Sequence, residues 1–289
     1  MDSADADTQR EVRSPVEASG AGSVPVQFIY TAPWWVLVLI LLGVYVVFLI
    51  VTDTDYGGAF QFLQLGIPMT LYVSFSAYGL ALIIGLLVGL ARVNPPRPAL
   101  HRDAGGLLAL LKVVVYNVAT LYVEVLRGLP ILIIILIVAF VAVPRVSDVL
   151  GVDINGSSPP SAIAALALFY GAFLSETFRA GIQSISKGQI EAARSLGMTY
   201  VQTMQFVVLP QAVRVILPPL GNDLISMIKD SSLVAFLGIR DVTQRAKLWS
   251  GQNFLYVQTY VVAAVIYLSI TIVGTRFVRL LERKMRMGV

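Results

Sequence analysis

Long unbroken apolar runs dominate this chain, and strict alternation of apolar and polar positions is absent. Six stretches stand out, at about 34 to 51, 67 to 91, 118 to 143, 160 to 181, 206 to 228 and 254 to 275. Each is long enough at 1.5 Å per residue to cross a hydrocarbon core roughly 30 Å thick. Backbone groups in lipid must be satisfied within their own segment, so α-helices are the reading that fits. The pattern predicts an all-α membrane protein with six transmembrane helices.

The connecting segments sort by charge. Arg92, Arg97, Arg102 and Lys112 stand against Asp103 between the second and third spans, and Arg276, Arg279, Arg283, Lys284 and Arg286 against Glu282 after the last. Both belong in the cytoplasm by the positive-inside rule. Segment 52 to 66 holds Asp53 and Asp55 with no basic residue, and 144 to 159 holds Arg145 against Asp148 and Asp153, which suits the outside. Six spans with both termini cytoplasmic satisfy all four. Segment 229 to 253 disagrees, since it must lie outside yet carries Lys229, Arg240, Arg245 and Lys247 against Asp230 and Asp241. Its apolar run from Leu233 to Ile239 predicts packed protein there, not a free loop.

Composition changes the picture in two ways. Charged residues are 13% and hydrophobic ones 57% of 289, where a soluble domain carries about a quarter charged. The first 33 residues are the exception, polar and acidic, and read as a disordered cytoplasmic tail. With no basic n-region and no small-residue cleavage site after Val51, the run at 34 to 51 reads as an uncleaved anchor. There is no Cys and one His, His101. That excludes disulfides, thiolate chemistry, Cys-ligated zinc and multi-histidine metal sites.

Catalytic patterns are missing as well. HExxH, GxSxG and GxGxxG do not occur, and Gly151 to Gly156 has the spacing of a phosphate loop with Ser where its Lys should stand. No metal, cofactor or catalytic residue is expected. Any energy from nucleotide has to be delivered by another subunit.

One cytoplasmic segment stands apart. Between the fourth and fifth spans, SISKGQIEAARSLGMTYVQTMQFVVLPQ is too polar to span. On a helix at 100° per residue, Lys187, Glu191, Arg194 and Ser195 fall on one arc and Ile190, Ala192, Ala193, Leu196 and Gly197 on the other, with Gln189 the exception. The segment is either an interfacial helix or a docking element. For docking, small Ala192 and Ala193 admit a close surface, Glu191 offers a carboxylate, and Gly197 permits a sharp turn.

Glu191-Ala192-Ala193, Gly197 three residues on, then Val207 and Leu209-Pro210, resembles the EAA signature of permease subunits of bacterial ABC importers. The likeness narrows to the polar amino-acid permeases through Thr70-Leu71, Arg127-Gly128-Leu129-Pro130, Glu176 to Ile182, Lys187-Gly188-Gln189, Leu209 to Ala212, Pro218 to Asn222 and Lys229 to Leu233. It covers about 66 to 284, with the coupling helix at about 187 to 198. Two departures are Leu129, where the family usually has Thr, and the extra helix and external loop at 34 to 65 ahead of a five-helix core; 285 to 289 form a tail. The resemblance implies a permease pair, homo- or heterodimeric, whose coupling helices enter grooves of two cytoplasmic ATPase subunits while an extracytoplasmic solute-binding protein delivers a polar amino acid. In that scheme Glu191, Ala192, Ala193 and Gly197 carry coupling, and Pro210, Pro218 and Pro219 give joints around the fifth span.

Ionisable groups at membrane depth are costly and suggest function. Glu176 and Arg179, at i and i+3, are either a structural pair or part of the substrate path. Asn222 and Asp223 follow a break expected at Pro218-Pro219, where they either line the path, holding an α-ammonium, or satisfy freed backbone. Glu124 and Arg127 are expected to pair with a neighbouring helix, and Lys229 and Asp230 with each other or with the binding protein. Gly85 and Gly89 form GxxxG, consistent with a subunit interface. Tyr30, Trp34 and Trp35 read as an interfacial belt, and Arg279 to Arg286 as a lipid-headgroup contact, with no nucleic-acid role. The rival class is an ion-gradient-driven secondary amino-acid transporter, which usually shows internal repeats and would leave the helix at 187 without a purpose. A scaffold leaves the proline-rich fifth span unexplained.

Overall fold

The computed structural model describes residues 34–96 and 106–286. The predicted acidic tail, His101, the basic loop residues Arg97 and Arg102, and the last three residues lie outside them. The chain forms two units, Met1–Val47 and Phe48–Val289. The first contributes the beginning of helix α1 (Trp34–Thr52), whose side chains from Leu37 to Val44 are almost all exposed apolar groups, as lipid contact requires.

The rest is helical from end to end. Asp53 caps α2 (Thr54–Leu63) by accepting from the backbone N–H of Asp55 at 2.8 Å. A short 3₁₀ turn leads into α3 (Ile67–Val93), followed by α4 (Gly106–Gly128), α5 (Ile131–Ile137) and α6 (Val143–Leu150). Then come α7 (Pro159–Gln183), α8 (Lys187–Ser195), α9 (Tyr200–Thr203), α10 (Leu209–Asp230), α11 (Val242–Asn253) and α12 (Tyr256–Arg286). Among the described residues six stretches are long and apolar enough to cross a membrane, the number expected.

Their membership differs from the expectation in two places: the run expected to span at 34 to 51 gives only a shorter apolar helix, Val36–Thr52, and the span expected at 118 to 143 is replaced by two stretches, Gly106–Gly128 and Ile131–Leu150. The predicted span 118 to 143 begins at Gly106 and is interrupted at Gly128-Leu129-Pro130, where Pro130 is extended (ψ 134°) and starts a new helix. Proline has no N–H and disfavours helix in the residue before it, which explains the stop. The two pieces lie at different levels along α7. Thr120 of α4 reaches Arg92 near the end of α3, whereas Ala139 beyond α5 lies against Gly156 just before α7 begins. The two pieces are thus spread along α7, with the break between them.

Helix α7 is central. Two-thirds of its apolar window is buried, against 11% for α4. In lipid the hydrophobic effect does not drive helices together, so close approach of small side chains must. Helix α7 supplies Ser161, Ala162, Ala165, Ala167, Gly171, Ala172 and Ser175, all buried. It packs parallel to α3: Gly85 meets Leu174, Gly89 meets Ser175 and Phe178, and Gln183 donates to the Val93 carbonyl at 3.0 Å. A Cβ on Gly89 would come within 2.8 Å of the Ser175 carbonyl oxygen. The GxxxG pair thus serves packing within the chain, where a subunit interface was expected.

Two turns are widened to the i+5 pattern, Val138–Ala142 and Met204–Val208. Each closes with a backbone bond five residues long, from Val143 to Val138 and from Leu209 to Met204. Each precedes a proline, Pro144 or Pro210, whose missing N–H removes a regular helical bond. Conversely, α10 runs unbroken through Pro218 and Pro219, where a break was expected. The irregular joint of this span lies upstream of Pro210 instead.

Segment 231 to 253 is packed, as its apolar run predicted. A 3₁₀ helix (Ser231–Leu237) buries Val234 and Leu237 in the core around α7, and Gly238 (φ +79°) reverses the chain. Helix α11 packs with α2 and α12 in a second core around Leu63, Val242 and Val262. The guanidinium of Arg245 lies 5.3 Å from the Phe62 ring centroid, which accounts for one of the charges that disagreed with the topology.

Candidate functional site

The segment singled out by its polarity folds as expected. Ser186 is extended (ψ 138°) and α8 covers Lys187–Ser195. Its end is fixed by two bonds, from Gly197 N–H to the Arg194 carbonyl at 3.0 Å and from Met198 N–H to the Ala193 carbonyl at 3.2 Å. Gly197 is left-handed at φ +80°, so this is a Schellman motif, and the glycine of the motif is there for its backbone.

Two residues later a new helix begins. The Thr199 hydroxyl accepts from Gln202 N–H at 3.3 Å, and the Gln202 side-chain oxygen accepts from Thr199 N–H at 2.9 Å. This capping box was legible as T-x-x-Q but was not among the sequence expectations. Helix α8 is thus bounded by extended Ser186 before it and by the Gly197 turn after it.

Helix α8 faces two ways. Ala193 is buried and Ile190 half-buried, while Lys187, Glu191, Ala192 and Arg194 are exposed. Leu196 and Tyr200 extend the exposed surface with apolar groups. Of the two alanines, then, Ala192 faces outward and Ala193 seats the helix on its own chain. Among the described residues the Glu191 carboxylate has no bonding partner.

Helix α8 follows α7 after three residues, and the end of α7 is cross-braced. Glu176 is clamped between the guanidinium groups of Arg92 and Arg179; Arg179 Nε donates to its Oε2 at 3.1 Å. Arg179 also donates to the Gln183 side-chain oxygen at 2.7 Å, and Gln183 to the Val93 carbonyl. The Glu176–Arg179 pair was expected; Arg92, assigned to the cytoplasmic loop by its charge, was not. Periodicity within one helix cannot reveal a partner 84 residues away.

Beside this brace lies a cavity of about 490 Å³, lined by Arg127, Glu176, Thr177, Ser184, Val215 and Pro219 among others. Arg127 lies with its guanidinium 5.4 Å from the Phe173 ring centroid. The ion pair with a neighbouring helix expected of it is not formed: no carboxylate pairs with Arg127 among the described residues. Asn222 falls on the same face of α10 as Val215 and Pro219, two turns beyond Val215. Asp223 is half-buried on the adjoining face. On that face the Tyr78 hydroxyl donates to the Leu220 carbonyl at 2.7 Å.

Lys229 and Asp230 do not pair; the Tyr170 hydroxyl donates to Asp230 Oδ2 at 2.7 Å, and Lys229 is exposed. Gly151 (φ +65°) ends α6 and Gly156 packs against the Ala139 carbonyl and the Phe140 ring, so the loop with phosphate-loop spacing is shaped by packing.

Residues 104–287 match the family model described as the binding-protein-dependent transport system inner membrane component. The chain belongs to that family and is a membrane-spanning permease subunit of an ABC importer. A probable amino-acid ABC transporter permease protein, YckA of Bacillus subtilis, is 36% identical over 226 residues, covering 78% of this chain and 90% of the relative. The glutamine transport system permease protein GlnP of Escherichia coli is 34% identical, covering 76% and 91%. A crystal structure of an amino acid ABC transporter with histidines superposes with a TM-score of 0.64 at 31% identity, covering 81% of this chain and 97% of that one. The MetNI methionine ABC transporter in an inward-facing conformation shares the fold, with a TM-score of 0.57 at 23% identity. ATP hydrolysis in such importers resides in a separate subunit, and the chain works as a multi-pass inner-membrane component with ATPase, permease and binding-protein partners.

Proposed function

We propose that this chain forms the lipid-embedded path of an importer for polar amino acids and is driven through α8. One observation carries the coupling reading: α8 is exposed, stopped at both ends by backbone geometry, and presents a carboxylate, Glu191, with no partner in its own chain. Such a rod transmits displacement, and its unused charge suits a cationic groove on the ATPase. Ala192 lets that surface approach, Ala193 anchors the rod, and Gly197 sets its end.

In this reading two permease subunits, identical or paralogous, sit on two ATPase subunits, and a solute-binding protein delivers the amino acid. Residues 66 to 284 form the conserved working unit of the permease, and the helix and external loop at 34 to 65 are an addition to it. Glu176, Asn222 and Asp223 border the route the solute takes past α7 and α10. Nucleotide-driven approach of the two α8 rods tips the permease pair between two discrete arrangements.

The test reverses the charge at the handle. Glu191→Lys is expected to abolish uptake and substrate-stimulated ATP hydrolysis at unchanged membrane abundance. Normal uptake and stimulation in that variant would remove Glu191 from the interface.

A further inference from the structure

We infer that the cavity beside Glu176 binds the α-carboxylate of its solute on Arg127, and so favours neutral or acidic amino acids over cationic ones; this rests on the permease reading above. The charges settle the sign. The charged groups lining the cavity are one guanidinium, Arg127, and one carboxylate, Glu176, and the latter is paired with Arg92 and Arg179. Glu176 is already held by Arg92 through Oε1 and by Arg179 through Oε2. Both of its oxygens are occupied, so it does not offer a free charge to an incoming ammonium or guanidinium.

Arg127 is the opposite case. It lines the same cavity, its plane is steadied by the Phe173 ring, and it has no acidic partner among the described residues. A guanidinium beside an aromatic ring with no carboxylate partner keeps N–H groups free, and a carboxylate can meet such a group with two parallel bonds.

The opposite wall supplies the complementary group. Val215 and Pro219 both line the cavity, and Pro219 has no N–H to give the Val215 carbonyl its usual helical bond. That carbonyl is an acceptor left over from the helix, suited to an α-ammonium. A cation on one wall and an orphan acceptor on the other fit a zwitterion. A side chain bearing a second positive charge would add repulsion from Arg127, with Glu176 already paired and unable to offset it.

The experiment uses the complete importer in proteoliposomes, with the solute-binding protein and ATPase unchanged. L-Glutamine, L-glutaminamide and L-arginine are the probes, by uptake and by direct binding to the permease–ATPase complex. In the wild type, L-glutamine binds and L-glutaminamide, which lacks the carboxylate, does not. Arg127→Gln is expected to raise the concentration needed for half-maximal L-glutamine binding by about 10- to 100-fold, the scale of a lost charge-assisted pair. It should also erase the discrimination against the amide and against L-arginine, while Arg127→Lys retains part of it.

Equal binding of acid and amide by the wild type would overturn the inference. So would unaltered selectivity in Arg127→Gln, or dissociation of the permease pair on size exclusion in that variant, which would make Arg127 an intersubunit contact. Failure of every amino acid to be taken up by the wild-type importer would instead sink the amino-acid reading on which it rests.

Discussion

Asp241 has no exposure to solvent, yet it carries a carboxylate. It is kept there by three tasks. Its Oδ1 accepts from Gln244 N–H at 2.8 Å to start α11, its Oδ2 accepts from the Tyr267 hydroxyl at 3.1 Å, and Tyr267 is joined at 2.9 Å to the Thr243 hydroxyl. Burial outweighs these bonds and pushes the Asp241 carboxyl from 3.8 up to about 6. A carboxyl with a raised value in the fold contributes stability that is full below pH 3.8 and is lost as the pH climbs through about 6. Asp241→Asn keeps a good capping residue and removes the titration. The apparent melting temperature of the purified protein is therefore expected to fall less between pH 5 and pH 7.5 in the variant than in the wild type. A fall of the same size in both would show that Asp241 does not set the pH dependence. Nothing in a linear reading marked Asp241 as buried, because the segment around it is rich in charge.

At the level of elements, the apolar runs told where helices would lie but not where they would be interrupted. Pro130 is extended and starts a new helix; Pro218-Pro219 does not, because the turns before and after it continue the helix through α10. Both strings contain proline next to apolar residues, and tertiary packing decides between them. The motif glycines were similarly ambiguous. GxxxG predicted a close approach, and only the coordinates show the partner is α7 of the same chain. Gly89→Val is expected to destabilise the folded protein by about 1–3 kcal/mol through overpacking against the Ser175 backbone and Phe178. Gly79→Val meets no heavy atom within 4 Å and serves as the control. Thermal melting of both variants in detergent checks this; equal melting would mean that α3 and α7 shift apart without cost.

For the whole molecule, the placement of the brace matters. The bonds among Arg92, Glu176, Arg179, Gln183 and the Val93 carbonyl tie the ends of α3 and α7 together immediately before α8. A push on α8 therefore moves two helices as one body, and the cavity wall with them. Gln183 is exposed, so Gln183→Leu removes the strap to Val93 while leaving the core intact; the lost bonds are worth about 1 kcal/mol each. Basal ATP hydrolysis should persist in this variant while the solute moved per ATP falls. An unchanged ratio would assign the brace to folding alone. The chain has no cysteine, so an engineered pair at positions 93 and 183 can report the slack directly by cross-linking. The family motif and the charge of the loops pointed to α8 and to a cytoplasmic side for it, because both signals are local. The brace and the cavity join residues from α3, α4, α7 and α10, and no stretch of sequence holds them together.

The interruption at Gly128-Leu129-Pro130 has a consequence for hydration. The last carbonyls of α4 lose their donors there, since Pro130 has no N–H and Ile131 belongs to the next helix. Oxygen atoms stranded inside hydrocarbon are costly, so water or a visiting molecule must dwell beside them. The wettest point along this crossing is thus written into its backbone, one residue from the guanidinium of Arg127.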